Sequence, residues 1–194
     1  LHLCSHNLET INNTTSTTSD TLLAEVCYAA KEEGASLQGQ HGEHKRTNPD
    51  SKICTVLARS FADIGDIVRG KDLFLGNDKE KEKREDLEKN LKTIFGNIYE
   101  ELKKKGAEAR YNDDTDGNYY KLREDWWAAN RETVWKAITC SADTGNAYFR
   151  ATCDSVDGKG SSVAQKQCRC DVAKGAKDDN QVPTYFDYVP QFLR

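Results

Sequence analysis

The acidic run from Asn112 to Gly117 (NDDTDG) is the most suggestive metal-binding pattern in the sequence. Its oxygen-bearing side chains fall at positions 1, 3 and 5 of an EF-hand loop, and its glycine falls at position 6. Position 12 of such a loop should supply a bidentate Glu, but Arg123 stands there. Because a cation at that place opposes calcium binding, we interpret the run as a solvated turn and predict no calcium site.

The histidines offer a second kind of metal chemistry, in two pairs. His2 and His6 flank Cys4, while His41 and His44 lie three residues apart. A zinc site needs a second ligand pair close to the first, and neither segment supplies one. We therefore interpret these histidines as exposed loop residues and predict no metal and no cofactor.

Residues that could support catalysis lack the spacing that catalysis requires. The segment 158–162 (GKGSS) contains a lysine and two hydroxyls, but a phosphate-binding loop needs GxxxxGK followed directly by Ser or Thr after a strand. Cys27, Cys54 and the cysteines that follow them lack a neighbouring His that would activate a thiolate, and disulfide bonding would occupy the thiols in any case. Motifs of the GxSxG, HExxH and dinucleotide-binding types are absent from the sequence. The sequence therefore predicts a protein that is not an enzyme.

Seven cysteines are spread along the chain, and this spacing favours disulfides. Structural zinc sites use close CxxC pairs, so a disulfide framework in an oxidising, extracellular setting is the simpler interpretation. Since seven is odd, one cysteine is free, pairs with another chain, or lacks its partner because the sequence is a fragment. We expect the last of these three explanations. The disulfide candidates are Cys4, Cys27, Cys54, Cys140, Cys153, Cys168 and Cys170.

Length and composition exclude several other classes of protein. The 194 residues suffice for one domain or two small ones. No apolar run approaches the roughly 18 residues typical of a membrane span. The 28 basic and 32 acidic residues nearly cancel, so no overall positive field would attract nucleic acid. The chain starts at Leu1 and contains no Met, and we therefore expect a piece of a longer protein.

Helical periodicity of apolar residues predicts the first two helices. One covers residues 20–33 and ends at Gly34, and residues 35–47 are predicted to form a loop. The second helix begins at Asn48–Pro49, since proline is well tolerated at the first helical position, and it ends at Gly70.

Two further helices are predicted at residues 79–105 and 118–141. In the fourth helix, Arg123 and Arg131 lie four residues on either side of Trp127, which favours a cation–π stack on that ring. Glycine, serine and charged residues make 142–181 loop-like, and 182–194 reads as an extended lead-in to a further helix. The predicted fold is mainly α, a helical bundle with long disulfide-braced loops.

Two basic clusters are the candidates for binding a polyanion such as a glycan. A third basic stretch, residues 79–84, is interleaved with acidic residues and is interpreted as a solvated helix face. The glycan-binding candidates are Lys103, Lys104, Lys105, Lys166, Arg169 and Lys174.

Four long segments of the chain are distinctive: ICTVLARSFADIGDIVRGKDLFLGN (53–77), YYKLREDWWAANRETVWKAITC (119–140), QCRC (167–170) and VPTYFDYVPQFLR (182–194). They closely resemble the Duffy-binding-like domains of the erythrocyte membrane protein one family of the malaria parasite Plasmodium falciparum. Residues 1–11 and 22–37 look like the upstream part of the alpha class of these domains, and Cys140, Cys153, Cys168 and Cys170 look like its four-cysteine type.

The resemblance implies a domain of three subdomains. Residues 1–47 would be the end of a loop-rich first subdomain, with a helix near 20–33. Residues 48–181 would form a helical second subdomain, and residues 182–194 the start of a truncated third. The family motifs supply core helices, so Phe61, Ile64, Trp126, Trp127 and Trp135 are expected to pack rather than to contact a receptor.

The resemblance also implies a function and a location. Such domains belong to the ectodomain of a membrane-anchored variant antigen on the surface of infected red cells. They bind red-cell or endothelial receptors, sulfated glycans or blood-group sugars, causing cytoadherence, rosetting and antigenic variation. The partners expected here are such receptors, adjacent domains and host antibodies, without nucleic acid or direct membrane contact. The alternative is a structural spacer that displays variable loops while a neighbouring domain binds.

Overall fold

The chain folds into helices joined to a small hairpin. The computed structural model describes residues 8, 11, 18–73, 76–111, 116–143, 145–148, 150–156, 158, 160–171, 176 and 181–194. The elements, in chain order, are α1 (Ser19–Thr47), α2 (Ile53–Arg69), α3 (Asp78–Lys104), α4 (Tyr120–Ile138), β1 (Ala151–Asp154) and β2 (Ser161–Val163). Short 3-10 turns occupy Glu108–Tyr111, Phe186–Tyr188 and Gln191–Leu193. The fold is mainly α, as predicted, and no described helix is long and apolar enough to cross a membrane.

Helix α1 continues through Gly34, where the sequence predicts its end, to Thr47. A Cβ atom built on Gly34 would lie 2.0 Å from the carbonyl oxygen of Ile138 in α4. The glycine therefore permits close approach of two helices rather than termination of one. The prediction of a loop over 35–47 is wrong, because this stretch forms the last turns of α1.

The extension of α1 also changes the environment of the histidine pair. His41 is buried, and its Nε2 atom lies 3.2 Å from Oγ of Ser51. Burial, together with the charges of Lys45 and His44, lowers the pKa of His41. The interpretation as an exposed loop residue is wrong for His41. His44 is exposed as expected, but it lies in α1 rather than in a loop. His2, His6 and Cys4 lie outside the described residues.

Helix α2 begins later than the sequence predicts. Asn48 is the C-cap of α1, where its backbone N–H donates to the carbonyl oxygen of His44. Because a residue before proline disfavours the helical conformation, α1 ends at Thr47, and α2 starts only at Ile53, with Lys52 as its N-cap. Its predicted end is confirmed, because Gly70 adopts a left-handed conformation with φ of 73°.

Helices α1, α2 and α4 form the core of the bundle. Helix α2 runs antiparallel to α1, since Ser60 donates to Glu33 and Ser51 lies beside His41. Helix α4 runs parallel to α1, as contacts between Trp126 and Ser19 and between Gly34 and Ile138 show.

Aromatic side chains fill the space between α2 and α4. The Phe61 ring lies 5.1 Å from Trp127 and 5.2 Å from Trp135, measured between centroids. A Cβ atom on Gly65 would lie 2.7 Å from the Trp127 ring, so the indole packs directly on the α2 backbone. The five side chains expected to pack, Phe61, Ile64, Trp126, Trp127 and Trp135, are all buried.

Helix α3 matches its predicted bounds closely. Asn77 and Glu80 form a capping box at its start. Its buried residues recur at helical spacing: Leu87, Leu91, Ile94, Phe95 and Ile98. The Phe95 ring packs edge-on against Trp126, with the ring centroids 6.0 Å apart.

The region 142–181, predicted to be loop, contains the antiparallel pair β1 and β2. Two disulfides tie it together: Cys54–Cys168 joins it to the start of α2, and Cys153–Cys170 closes it on itself.

Two disulfide candidates, Cys27 and Cys140, are free thiols within the described part of the chain. Cys27 lies seven residues before Gly34 and Cys140 two residues beyond Ile138, which faces Gly34. Along the parallel axes of α1 and α4 their separation is therefore about 13 Å, beyond the roughly 7 Å limit between the Cα atoms of a disulfide.

Candidate functional site

The first basic cluster lies at the end of α3. Lys103 and Lys104 occupy its last turn, Lys105 is its C-cap, and all three are exposed. Positive charge is favourable at a helix C-terminus because the backbone carbonyls there carry partial negative charge. The cluster therefore suits the end of α3, and its side chains reach solvent.

The second basic cluster is only partly accessible. Lys166 is exposed, but Arg169 is half-buried and donates to Oγ1 of Thr139 at 2.9 Å and to the carbonyl oxygen of Lys136 at 2.7 Å. Burial lowers the pKa of Arg169, opposed by the nearby Cys140. Arg169 thus fastens its turn to the end of α4. Lys174 lies outside the described residues.

The two clusters do not form one surface. Tyr99 of α3 packs against Tyr119 beside the start of α4, with ring centroids 5.8 Å apart, whereas Arg169 binds the end of α4. The 19 residues of α4 span about 28 Å. A ligand that used both clusters would have to bridge most of the length of that helix.

A groove between α2 and α3 is a binding surface that the sequence did not indicate. It has a volume of about 680 Å³, within the usual range of ligand pockets. Ile67 and Leu87 contribute apolar surface, and Tyr120 at the start of α4 is 43% exposed. The sequence predicts only a solvated helix face for residues 79–84. Helical periodicity within that segment cannot show that Gly70 and Tyr120, which are distant in the sequence, border the same groove.

Ion pairs organise the charges of this groove. Arg123 is fully buried and holds both carboxylate oxygens of Glu88 at 2.8 Å. Arg84 pairs with Asp72. Two carboxylates that line the groove, Glu88 and Asp72, are therefore already paired with arginines of the chain.

Arg123 and Arg131 lie near other aromatic rings than Trp127, which their spacing in the sequence predicts as their partner. Arg131 lies 5.1 Å from the Tyr188 ring centroid, and Arg123 lies 5.6 Å from that of Phe95. It is Arg69 that lies over Trp127, at 5.9 Å. The predicted stack of Arg123 and Arg131 on Trp127 is wrong, because both guanidinium groups are held by carboxylates of other segments.

The C-terminal segment docks on α2 and α4 through buried charges. It forms two 3-10 turns in place of the predicted extended lead-in. The fully buried Asp187 carboxylate accepts hydrogen bonds from Arg131 and from the Trp127 indole. Beside this anchor lie exposed apolar side chains: Leu73, Tyr188, Phe192 and Leu193.

Arg194 completes the anchor by pairing with Asp63 and Asp66 of α2. Burial raises the pKa of Asp63 to about 6, which outweighs the opposing charge of Arg194. Burial also raises the pKa of Asp66. These carboxyls fasten the C-terminal segment, and no substrate site is needed to explain their pKa shifts.

No group of three potential His, Cys, Asp or Glu ligands for a metal occurs among the residues that the structure describes. Four residues of the calcium-like run, 112–115, lie outside them. Asp116 accepts hydrogen bonds from Asn118, which lower its pKa.

The described surfaces suit the binding of a partner. They offer the groove, the exposed lysines and the apolar C-terminal edge.

Comparison with known proteins gives a family match over the whole chain. The model of the Duffy binding domain family matches residues 1–194. A comparison with curated proteins found no match.

Solved structures of similar domains match as well. One is the NTS-DBL1(alpha-1) domain of Plasmodium falciparum membrane protein 1 (PfEMP1) from the varO strain, with 41% identity and a TM-score of 0.72 over 99% of this chain and 40% of that one. Another is the ICAM-1-binding DBLbeta domain of PfEMP1 IT4var13, with 29% identity and a TM-score of 0.61 over 99% and 39%. A third PfEMP1 DBLb domain, solved bound to human ICAM-1, has 27% identity and a TM-score of 0.62 over 99% and 36%. The chain thus spans about two fifths of the length of the solved domains it matches.

Proposed function

The chain belongs to the Duffy binding domain family, and from this membership we propose that it is part of a non-enzymatic adhesion module that binds a receptor on host cells. The observation that carries the proposal is the match to PfEMP1 domains, among them domains that bind human ICAM-1. The exposed surfaces of this chain support it, since they offer a groove and an apolar edge for a protein partner.

We propose that the chain works outside the parasite, as part of the ectodomain of a variant antigen on infected red cells. Two disulfides brace its loops, and disulfides persist mainly in oxidising compartments. This setting would expose the loops to host antibodies as well as to receptors. Cytoadherence and rosetting are the cellular outcomes we propose.

We propose a sulfated glycan as a more specific ligand, because the basic clusters favour a polyanion. Lys103, Lys104 and Lys105 are exposed side by side, so a polyanion would bind them through salt-sensitive contacts. Changing all three to Ser should lower the salt concentration at which the chain elutes from heparin.

The matched control changes Lys79, Lys81 and Lys83 to Ser, which removes the same charge from the other end of α3. Equal elution of both triple variants would remove the lysine cluster from the glycan proposal. Changing Lys166 and Lys174 to Ser tests the second cluster in the same way.

The second candidate function is a spacer that orients its neighbours and displays variable loops. The buried packing of α1, α2 and α4 supports it, because a rigid core can transmit orientation between domains. Binding of purified chain to human red cells and endothelial cells separates the two functions. Binding by an adjacent domain alone would favour the spacer, and saturable binding by this chain would favour adhesion.

A further inference from the structure

The groove between α2 and α3 joins an apolar floor to a positively charged rim. Ile67 and Leu87 are buried and line it together with the partly exposed Tyr120. Its volume of about 680 Å³ would accept one or two side chains of a partner. An exposed tyrosine ring above aliphatic side chains offers the partner an apolar contact surface.

The rim has more positive charge than its own carboxylates neutralise. Lys89 is exposed, and no described residue pairs with it. Lys92 lies 3.9 Å from Glu88, but the buried Arg123 already holds both oxygens of that carboxylate at 2.8 Å. Lys89 and Lys92 are therefore the charges available to an acidic group from outside.

The distances within α3 set the spacing of the complementary ligand. Leu87 and Lys92 are five residues apart on the helix, about 7.5 Å along its axis. In an extended peptide, side chains at i and i+2 point to the same side and lie about 6.6 Å apart. An extended peptide in which one residue separates an apolar side chain from a carboxylate therefore matches the axial spacing of Leu87 and Lys92.

We propose that this groove binds an extended acidic segment of a protein partner, in which one residue separates an apolar side chain from an Asp or Glu. The apolar side chain lies against Ile67, Leu87 and Tyr120, and the carboxylate pairs with Lys89 and Lys92. This inference rests on the proposed adhesion function and deepens it, because it assigns one contact surface and one kind of partner to it.

The test is an NMR titration of the ¹⁵N-labelled chain with the peptide acetyl-Gly-Phe-Ser-Glu-Gly-amide, up to about 1 mM, the weak end of the useful affinity scale. Saturable shifts of the Gly70, Lys89 and Thr93 amides are expected. Replacing Glu with Gln in the peptide should weaken binding about fivefold, the effect of losing one exposed ion pair.

Matched variants of the chain separate groove binding from general attraction. Lys89→Ser with Lys92→Ser should weaken peptide binding at least about fivefold, whereas Lys103→Ser with Lys104→Ser should leave it unchanged. Equal effects of the two pairs, or the absence of saturable shifts, would overturn the proposal. A heparin oligosaccharide that needs Lys89 and Lys92, when the peptide does not, would overturn it in favour of a glycan.

Binding to host cells distinguishes a failure of the groove proposal from a failure of the adhesion proposal. If the double variant Lys89→Ser, Lys92→Ser binds host cells as well as the unchanged chain does, the groove proposal fails and adhesion stands. If neither protein binds cells although the peptide titration succeeds, the adhesion proposal fails instead.

Discussion

The Trp127 indole donates a 2.9 Å hydrogen bond to the carboxylate of Asp187, and both side chains are completely removed from solvent. This bond joins the centre of α4 to the C-terminal segment, 60 residues further along the chain. The same carboxylate accepts two hydrogen bonds of 2.8 Å from Arg131. One buried acid therefore anchors the segment that borders the apolar edge.

Removing this acid should destabilise the chain strongly. Asp187→Ala leaves the Arg131 guanidinium without its carboxylate partner in a buried setting, and we expect a loss of about 3–5 kcal/mol in the free energy of unfolding. Urea denaturation followed by tryptophan fluorescence measures it. Glu132→Ala is the control, because it removes an exposed ion pair with Lys136, whose loss should cost only about 0.3–0.5 kcal/mol. Equal losses would show that Asp187 is not the anchor.

Two glycines of α1 should respond in opposite directions to alanine. Gly34→Ala places a Cβ 2.0 Å from a backbone oxygen of α4, and the helices must separate, at a cost of about 1–3 kcal/mol or more. Gly39 has no atom within 4 Å of the equivalent position, so Gly39→Ala should stabilise the helix by about 0.5–1 kcal/mol. Thermal unfolding of both variants checks the difference, and a stable Gly34→Ala protein would rule out the close packing of α1 on α4.

The two disulfides should differ in their contribution to stability. Cys54–Cys168 spans 114 residues and Cys153–Cys170 spans 17. In the chain-entropy model they restrict the unfolded chain by about 4.8 and 3.1 kcal/mol, respectively. Replacing each pair with alanine and comparing urea midpoints should show the larger loss for Cys54 and Cys168. A larger loss for the short bridge would contradict this ranking.

Stability should depend on pH through Asp63. Its pKa is raised to about 6 by burial, so the folded state holds a proton that the unfolded state releases near pH 4. Protonated Asp63 therefore contributes stability below that range, and the contribution is lost as pH rises from about 4 through 6. Relative to the unchanged chain, the Asp63→Asn variant should become more stable as pH rises across this window, as measured by thermal unfolding.

Asp116 provides a control of opposite sign. Hydrogen bonds from Asn118 lower its pKa, so ionised Asp116 contributes stability that is lost as pH falls through its folded pKa. The Asp116→Asn variant should therefore lose stability relative to the unchanged chain as pH rises from acid. Parallel curves for the two variants would contradict the raised pKa of Asp63.

The sequence predicts a helix well when its cap, its apolar spacing and its end all lie within the helix itself. Helix α3 has its cap, its apolar spacing and its end within its own sequence, and the structure agrees with all three. Gly34 looks like a helix end in the sequence, but its role depends on Ile138, more than a hundred residues away. The ring partners of Arg131 come from α2 and the C-terminal segment, so spacing within α4 could not identify them.

The candidate binding residues show the same division. Lys103, Lys104 and Lys105 are consecutive lysines at the polar end of α3, so the sequence alone was enough to identify them as exposed candidates. The groove requires α2, α3 and Tyr120 to meet in space, which no periodicity within one segment expresses. Arg169 looks like a free surface cation in the sequence, yet its hydrogen bonds to Thr139 and Lys136 commit it to the scaffold.

Binding of the purified, fluorescently labelled chain to intact human red cells and endothelial cells, measured by flow cytometry over a concentration series, tests the adhesion function most directly. The control is the same chain after reduction and alkylation, which opens both disulfides and removes the fold. We expect saturable binding to at least one cell type, and we expect this treatment to abolish it. Binding no greater than that of the reduced chain on every cell type would contradict the adhesion function.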